Sequence, residues 1–378
     1  MADAGPGSGR PGLPLRILRG SLLASGPAAA LLFYGVAGWP DAVERVYGRS
    51  LYPAFDRCLA RLTAWCSWSL GELLLFALAA WALVSAAQAA TGFRQGRKEG
   101  LRRLRAWGLG AAAALSLLYA AFVLAWGLNY RRPPLASRLA WPVAPASAAE
   151  LGALCSELAV QVNGLRRACA PDEAPASVRN RAAEGYQRLG AALAPAVPDL
   201  RPAHPKFALL SALMSRALTH GMVVPWTHEA LVNRETPPAS LPFALCHEMA
   251  HQRGVAREDE ANFVGYLAAR LHPDPGYRYS ALRFALAESL GKLAQADPGA
   301  AARVVEGLDP AVREDYRRDA AWSRRNRSRF SEIQGRAYDR YLKAQGQREG
   351  VRSYGRVVDL LLAERRMRAA GALPAALR

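Results

Sequence analysis

Three long apolar runs in the first third of the chain constrain its fold more than any other feature. Residues 20–39 (GSLLASGPAAALLFYGVAGW) carry no charge, residues 69–92 carry only Glu72 near their start, and residues 106–128 carry none. At 1.5 Å per residue, each is about long enough to cross the ~30 Å hydrocarbon layer of a bilayer. Pro27 would kink the first run without excluding it from a membrane. Trp107 and Trp126 stand near the ends of the third, where interfacial aromatics belong. A cleavable leader would be shorter and would not be followed by two further runs. The pattern predicts a membrane anchor over residues 1–128, with spans at about 20–39, 69–92 and 106–128.

Charge sets the expected orientation. FRQGRKEGLRRLR, between the second and third spans, has six basic residues and one acid, which places it in the cytoplasm. Arg10, Arg16 and Arg19 put the N-terminus on the same side. In the first loop, Arg45, Arg49, Arg57 and Arg61 are diluted by Asp41, Glu44 and Asp56. Three crossings from an inside start leave everything after about residue 129 outside the cytoplasm. Within the first loop, Leu51, Phe55, Leu59 and Leu62 recur at helical spacing. That spacing predicts an amphipathic interfacial helix over residues 50–66.

Beyond the third span, NYRRPPLASRLAWPVAPAS (129–147) is Pro-rich and reads as a linker. Residues 148–378 suffice for one substantial core. Periodicity predicts helices over 148–169, 177–193, 278–296, 310–345 and 354–370. β-branched and aromatic residues broken by Gly and Pro at 217–233 predict a short strand or hairpin. The expected fold class is therefore mainly α: three N-terminal transmembrane helices, then a mostly helical domain with a short β element.

The formal charge is +18, and only four of the 378 residues are lysines. No aromatic-basic RNA motif, finger or basic zipper accompanies the arginines. The excess suits an anionic bilayer surface, and no nucleic-acid partner is expected. None of the five cysteines forms a CxxC pair, which argues against a cysteine-ligated structural zinc. Cys155 and Cys169 can bridge only if they stand on different helices; on one helix they would be about 20 Å apart.

The chemistry concentrates in LPFALCHEMAHQRGVAREDEANF, residues 241–263. Residues four apart share a helix face, so His247 and His251 can offer imidazole nitrogens to one ion. Glu248 is placed to accept a proton from water held by that ion. Ser240 is the expected N-cap and Pro242 falls in the first turn, where its missing N–H does no harm. Gly254 suggests that the helix turns there. Position 257, where HExxHxxGxxH sites have their third ligand, holds Arg257, a cation; the acids begin with Glu258, Asp259 and Glu260.

Glu258 followed by Ala261 and Asn262 resembles the ExxA[D/N] pattern of gluzincin metallopeptidases. The resemblance implies that Glu258 is the third ligand and that Asn262 orients a ligand histidine from behind. Those families usually have Asp where Asn262 stands and a longer gap after the second histidine, so Glu260 stays open as the alternative ligand. The wider chain resembles the bacterial membrane family known as domain of unknown function 3810. The likeness is carried by WGLNYRRPPL (126–135), PWTHEALVN (225–233), the 241–263 segment, YDRYLKAQG (338–346) and RSYGRVVDLLL (352–362). It implies a zinc metallopeptidase but names no substrate.

The expected protein is thus a multi-pass bacterial cell-membrane metallopeptidase with an extracytoplasmic, zincin-like domain over 148–378. One Zn2+ would be held by His247, His251 and Glu258, with Glu248 assisting attack of zinc-bound water on a peptide or protein of the cell envelope. Two rivals are a metal-dependent cell-wall amidase and a non-catalytic, zinc-stabilised membrane sensor or scaffold. Tyr338, Tyr341, Tyr354 and His228 are candidates for contacting substrate or an oxyanion. Arg352 and Arg356 are candidates for a substrate carboxylate. His204, His220 and His272 lie beside Pro or Gly with no ligand spacing.

Overall fold

The computed structural model describes residues 13–169, 173–193, 196–197, 204–347 and 356–377. It is mainly helical and divides into two compact units: Met1–Trp39 with Leu73–Leu128, and Pro40–Glu72 with Asn129–Arg378.

The first unit is built on apolar helices. Leu13–Gly35 packs along Arg97–Ala125. Small residues allow close approach there: the Gly26 N–H donates to Ser116 Oγ at 2.8 Å, and that hydroxyl donates to the Leu23 carbonyl at 2.9 Å. Three helical stretches, Gly20–Gly38, Leu70–Gln95 and Arg97–Ala125, are long and apolar enough to cross a membrane. The third helix begins well before its apolar run. The Arg, Lys and Leu residues preceding that run are good helix formers, and the break falls only at Gly96, where φ is +127°.

In the second unit, the HExxH segment forms the helix Leu241–Gln252 and packs on Glu258–Arg270 and Pro275–Ala296. Pro275–Ala296 in turn packs on Ala148–Arg166. A three-stranded sheet flanks the HExxH helix, in the order β1 (Lys206–Phe207), β3 (Glu229–Val232), β2 (Gly221–Val224). The β2–β3 hairpin is antiparallel and lies in the region expected for it; β1 runs parallel to β3. At two residues, β1 has no alternation to read. The helix expected over 310–345 is two, Pro310–Asn326 and Arg329–Ala344, because Ser328 caps the second with its hydroxyl on the Ser331 N–H. Cys155 lies on Ala148–Arg166 and Cys169 just beyond its end; both are free thiols.

Two sequence expectations change. Residues 129–147 are not a free linker: Asn129, Tyr130, Arg132, Leu135 and Trp141 are buried. The Arg132 guanidinium donates to Glu44 at 2.6 Å and to the Gly254 carbonyl at 3.2 Å. Residues 40–72 belong to the second unit. Leu51 just before their helix Tyr52–Ala64, and Phe55 and Leu62 on it, are exposed along the stripe read as interfacial, but the helix's other face is protein-bound. Tyr52 donates to the Gln252 carbonyl at 2.9 Å, and Arg253 donates to Asp56 at 2.8 Å. Apolar periodicity registers the exposed stripe and is blind to such buried ion pairs.

The first turn of the helix Leu70–Gly92 is tied into the same unit. The Leu70 and Gly71 N–H groups donate to Glu229 at 3.0 and 2.7 Å. Glu72 accepts from the Leu209 and Leu210 N–H groups, each at 2.9 Å. Lys206 bridges Glu229 at 2.6 Å and the carbonyls of Thr63 and Trp68. Glu229 is therefore a buried structural clamp: burial would raise its carboxyl, but Lys206 and the backbone N–H groups it accepts from hold it below the usual carboxylate value. Asn233 is likewise a turn residue, bonding Ser215, the Thr219 carbonyl and the Glu235 N–H.

Candidate metal centre

The HExxH helix is buried along nearly its whole length, because Leu241, Leu245, Met249 and Ala250 meet other elements of the core. Its N-terminus departs from expectation. Ser240 does not cap it; the hydroxyl donates to Asp319 at 3.1 Å, and Ser280 accepts the Phe243 N–H instead. At the other end Gly254 has φ of +80°, and a Cβ there would run into the Tyr52 ring. The reversal brings the Val255 carbonyl to 2.7 Å from His251 Nδ1. An N–H on Nδ1 donating to that carbonyl fixes the ring and turns Nε2 toward Glu258, 3.5 Å away.

His247 and His251 stand with ring centroids 4.6 Å apart and planes at 90°. The chain then enters the next helix at Glu258. A Cβ on Gly265 would lie 2.9 Å from His247 Cα, so this glycine permits the close backbone approach that brings the two helices together. Glu258 Oε2 lies 3.4 Å from His247 Nε2 and 3.5 Å from His251 Nε2. Ligand atoms of all three residues fall within 4.8 Å of one another. Tyr338 donates to the other oxygen, Glu258 Oε1, at 2.5 Å, and Tyr338 stacks on Tyr341.

The residues fit a zinc ion. Tetrahedral N and O ligands at 2.0–2.1 Å are separated by roughly 3.3 Å, close to the two Glu258–histidine distances. Among the described residues, Glu258 Oε2 and Glu248 Oε2 are buried without a hydrogen bond of good geometry, Glu258 Oε2 facing only the two imidazoles, a costly state that a cation and a water molecule would relieve. Two histidines and a glutamate also match the donor set of catalytic rather than structural zinc sites.

Electrostatics suit proton transfer. Burial pushes the Glu248 carboxyl up to about 7, against the pull of His247 and His251 and with the help of Glu258. Burial disfavours the charged form of His251, but the Glu258 carboxylate outweighs it and raises the imidazole to about 9. Burial alone would raise Glu258; His251 and His247 instead hold it well below the usual carboxylate range.

The remaining candidates separate. Glu260 accepts the Leu135 N–H at 2.8 Å and pairs with Arg138 at 3.2 Å, so its oxygens serve the 129–147 segment, not the histidines. Asn262 is buried one turn after Glu258, yet its amide nitrogen and His247 Nδ1 both lack partners among the described residues. The orienting bond implied for Asn262 is not formed; Val255 supplies one to His251 instead. His228 is fully buried, stacked on Tyr52 and 3.5 Å from Asp56. Tyr354 and Arg352 lie outside the described residues, and Arg356 is exposed. His220, passed over in the sequence, is stacked on Trp322 and precedes Gly221, which lies against Glu248. Burial pushes its imidazole down, Asp319 opposes, and His247 and Arg283 add to the depression. Its adjacency to a predicted strand was the one available signal.

Searches of the curated proteins and of the solved structures found no match. A family model described as a protein of unknown function (DUF3810) matches residues 47–362. That span covers most of the chain, including both histidines and Glu258, and the chain therefore belongs to the DUF3810 family.

Proposed function

We propose that this chain is a membrane-anchored zinc metallopeptidase with its metal centre on the extracytoplasmic side. The observation that carries the reading is the convergence of His247, His251 and Glu258 beside a buried Glu248 whose pKa is near neutrality. A bound zinc ion would polarise the scissile carbonyl and make water acidic enough to react near pH 7. Glu248 takes the proton from the attacking water as the new C–O bond forms. It delivers that proton to the amide nitrogen as the C–N bond breaks, giving a carboxylic acid and an amine, and the acid's remaining proton passes to the amine to leave a carboxylate and an ammonium. Tyr338 steadies Glu258 so that the carboxylate keeps one oxygen toward the histidines. The six basic residues between the second and third apolar runs support a cytoplasmic location for that loop.

Metal content of the purified protein, compared with His251→Ala and Glu258→Ala, tests the site. One zinc per chain, lost in both variants, is expected; retention in Glu258→Ala refutes the ligand set. Hydrolysis of peptide libraries, absent in Glu248→Gln, tests the reaction. Activity confined to peptidoglycan fragments would reassign the protein as a cell-wall amidase.

A further inference from the structure

We infer, resting on the hydrolytic reading above, that the substrate is a membrane-tethered polypeptide cut close to the bilayer surface. Strand β2 serves as the ruler. At one end Val224 packs on Gly71, the second residue of the apolar helix Leu70–Gly92; at the other, Gly221 lies against the Glu248 carboxyl. Three residues of strand separate these contacts, about 10 Å at roughly 3.3 Å per residue. Glu248 therefore stands about 10 Å from the point where the apolar helix begins.

Hydrogen bonds tie both ends of this spacing to one sheet. Glu229 on β3 accepts the Leu70 and Gly71 N–H groups, and Glu72 accepts those of Leu209 and Leu210. β3 pairs with β2 through Glu229–Val224 and Val232–Gly221, so the clamp and the Glu248 contact belong to one small sheet.

Large apolar side chains stand exposed beside the clamp, and the open pocket at Lys206 and Glu229 adds the cations Arg57, Arg61 and Arg179. Leu209 and Leu213 are 49% and 46% exposed, directly beside the backbone that Glu72 holds. On the 40–72 segment Phe55 and Leu62 are exposed, and Trp65 is 78% exposed. Exposed leucines and a tryptophan flanking the start of a bilayer-length helix belong at the headgroup level. The occupant of this surface is the lipid interface, because Leu209 is held by Glu72 in the first turn of that helix and Trp65 precedes it by five residues. A polypeptide anchored in the same bilayer presents its first few extended residues at the height of Glu248. Tethering raises its effective concentration there, whereas bonds further out must bend back to reach the site.

Full-length, zinc-loaded protein in phosphatidylcholine–phosphatidylglycerol vesicles provides the test. A randomised peptide cassette is fused to a single-span helix, either directly or after a 20-residue polyproline spacer of roughly 60 Å, and is also supplied free. The close cassette should be cut at least tenfold faster than the spaced or free ones, and Glu248→Gln should cut none. Equal cleavage of all three overturns the membrane-proximal substrate and leaves the hydrolase standing. No cleavage in any position removes the hydrolase reading, and the substrate with it. A second arm needs no turnover: phospholipid with a photoactivatable headgroup should label Leu209–Leu213 and the 55–65 stretch. Label confined to the three apolar helices overturns the inference.

Discussion

If zinc binds at His247, His251 and Glu258 as proposed, it must compete with a proton for the His251 imidazole, and the structure sets the scale of that competition. Burial works against a charged His251, but Glu258 at 3.5 Å raises it to about 9. At pH 7 the metal-free site therefore holds a proton that zinc must displace. Two pH units correspond to about 2.7 kcal/mol, or roughly a hundredfold in affinity. Apparent zinc affinity should rise about tenfold per unit between pH 7 and 9 and then level off. Glu248, at about 7, adds its own step only below that window. Competition with a chromophoric chelator measures the slope, and calorimetry in two buffers of different ionisation enthalpy should count about one proton released per zinc at pH 7. Stability without metal follows the opposite sign. The His251 pKa is raised on folding, so its contribution is complete below the ordinary histidine value and fades as pH rises through about 9. The zinc-induced gain in melting temperature should therefore grow from pH 7 to 9. Glu258→Gln removes the raising charge and should flatten the slope while lowering affinity throughout. A flat wild-type affinity from pH 7 to 9, or a slope that Glu258→Gln leaves intact, refutes the reasoning.

Other consequences follow from single contacts. Glu248→Gln should leave zinc content and melting temperature unchanged while lowering peptide turnover by about a hundredfold or more, read by metal analysis beside a peptidase assay. Glu260→Ala should keep its zinc but lose about 3–5 kcal/mol in urea unfolding, because Arg138 and the Leu135 N–H are left buried without their partner; lost zinc would make Glu260 a ligand. Asp56→Ala removes the carboxylate that the buried Arg253 donates to at 2.8 Å and should lower stability by about 1–3 kcal/mol in the same measurement.

What the sequence made legible was whatever depends on spacing along the chain. The apolar runs, the i, i+4 histidines, the acidic helix start at Glu258 and the hairpin near residues 217–233 are all local patterns. The partners of Glu44, Asp56 and Glu229 were not legible, because Arg132, Arg253 and the Leu70–Gly71 backbone lie far away in sequence. Those distant partners turn the expected linker and interfacial helix into parts of the unit that holds His247, His251 and Glu258. Glu258 and Glu260 differ by two residues and could be told apart only by where the Leu135 N–H and Arg138 fall.

The fold also constrains topology without counting charges. Pro40–Glu72 and Asn129–Arg378 form one unit, so they share one side of any membrane. Between them in sequence stand two apolar helices, Leu70–Gly92 and Arg97–Ala125. Two crossings return the chain to the side it left, and one crossing cannot. If either helix spans, both do, and Arg94–Gln95 lies on the opposite side of the membrane from Asn129. An impermeant thiol reagent should then reach the exposed Cys58 from the side that bears a C-terminal tag, and a Gln95→Cys variant from the other side only. Labelling of both positions from one side would leave the two helices without a crossing. The ~10 Å between Gly71 and Glu248 would then no longer measure a distance to a bilayer.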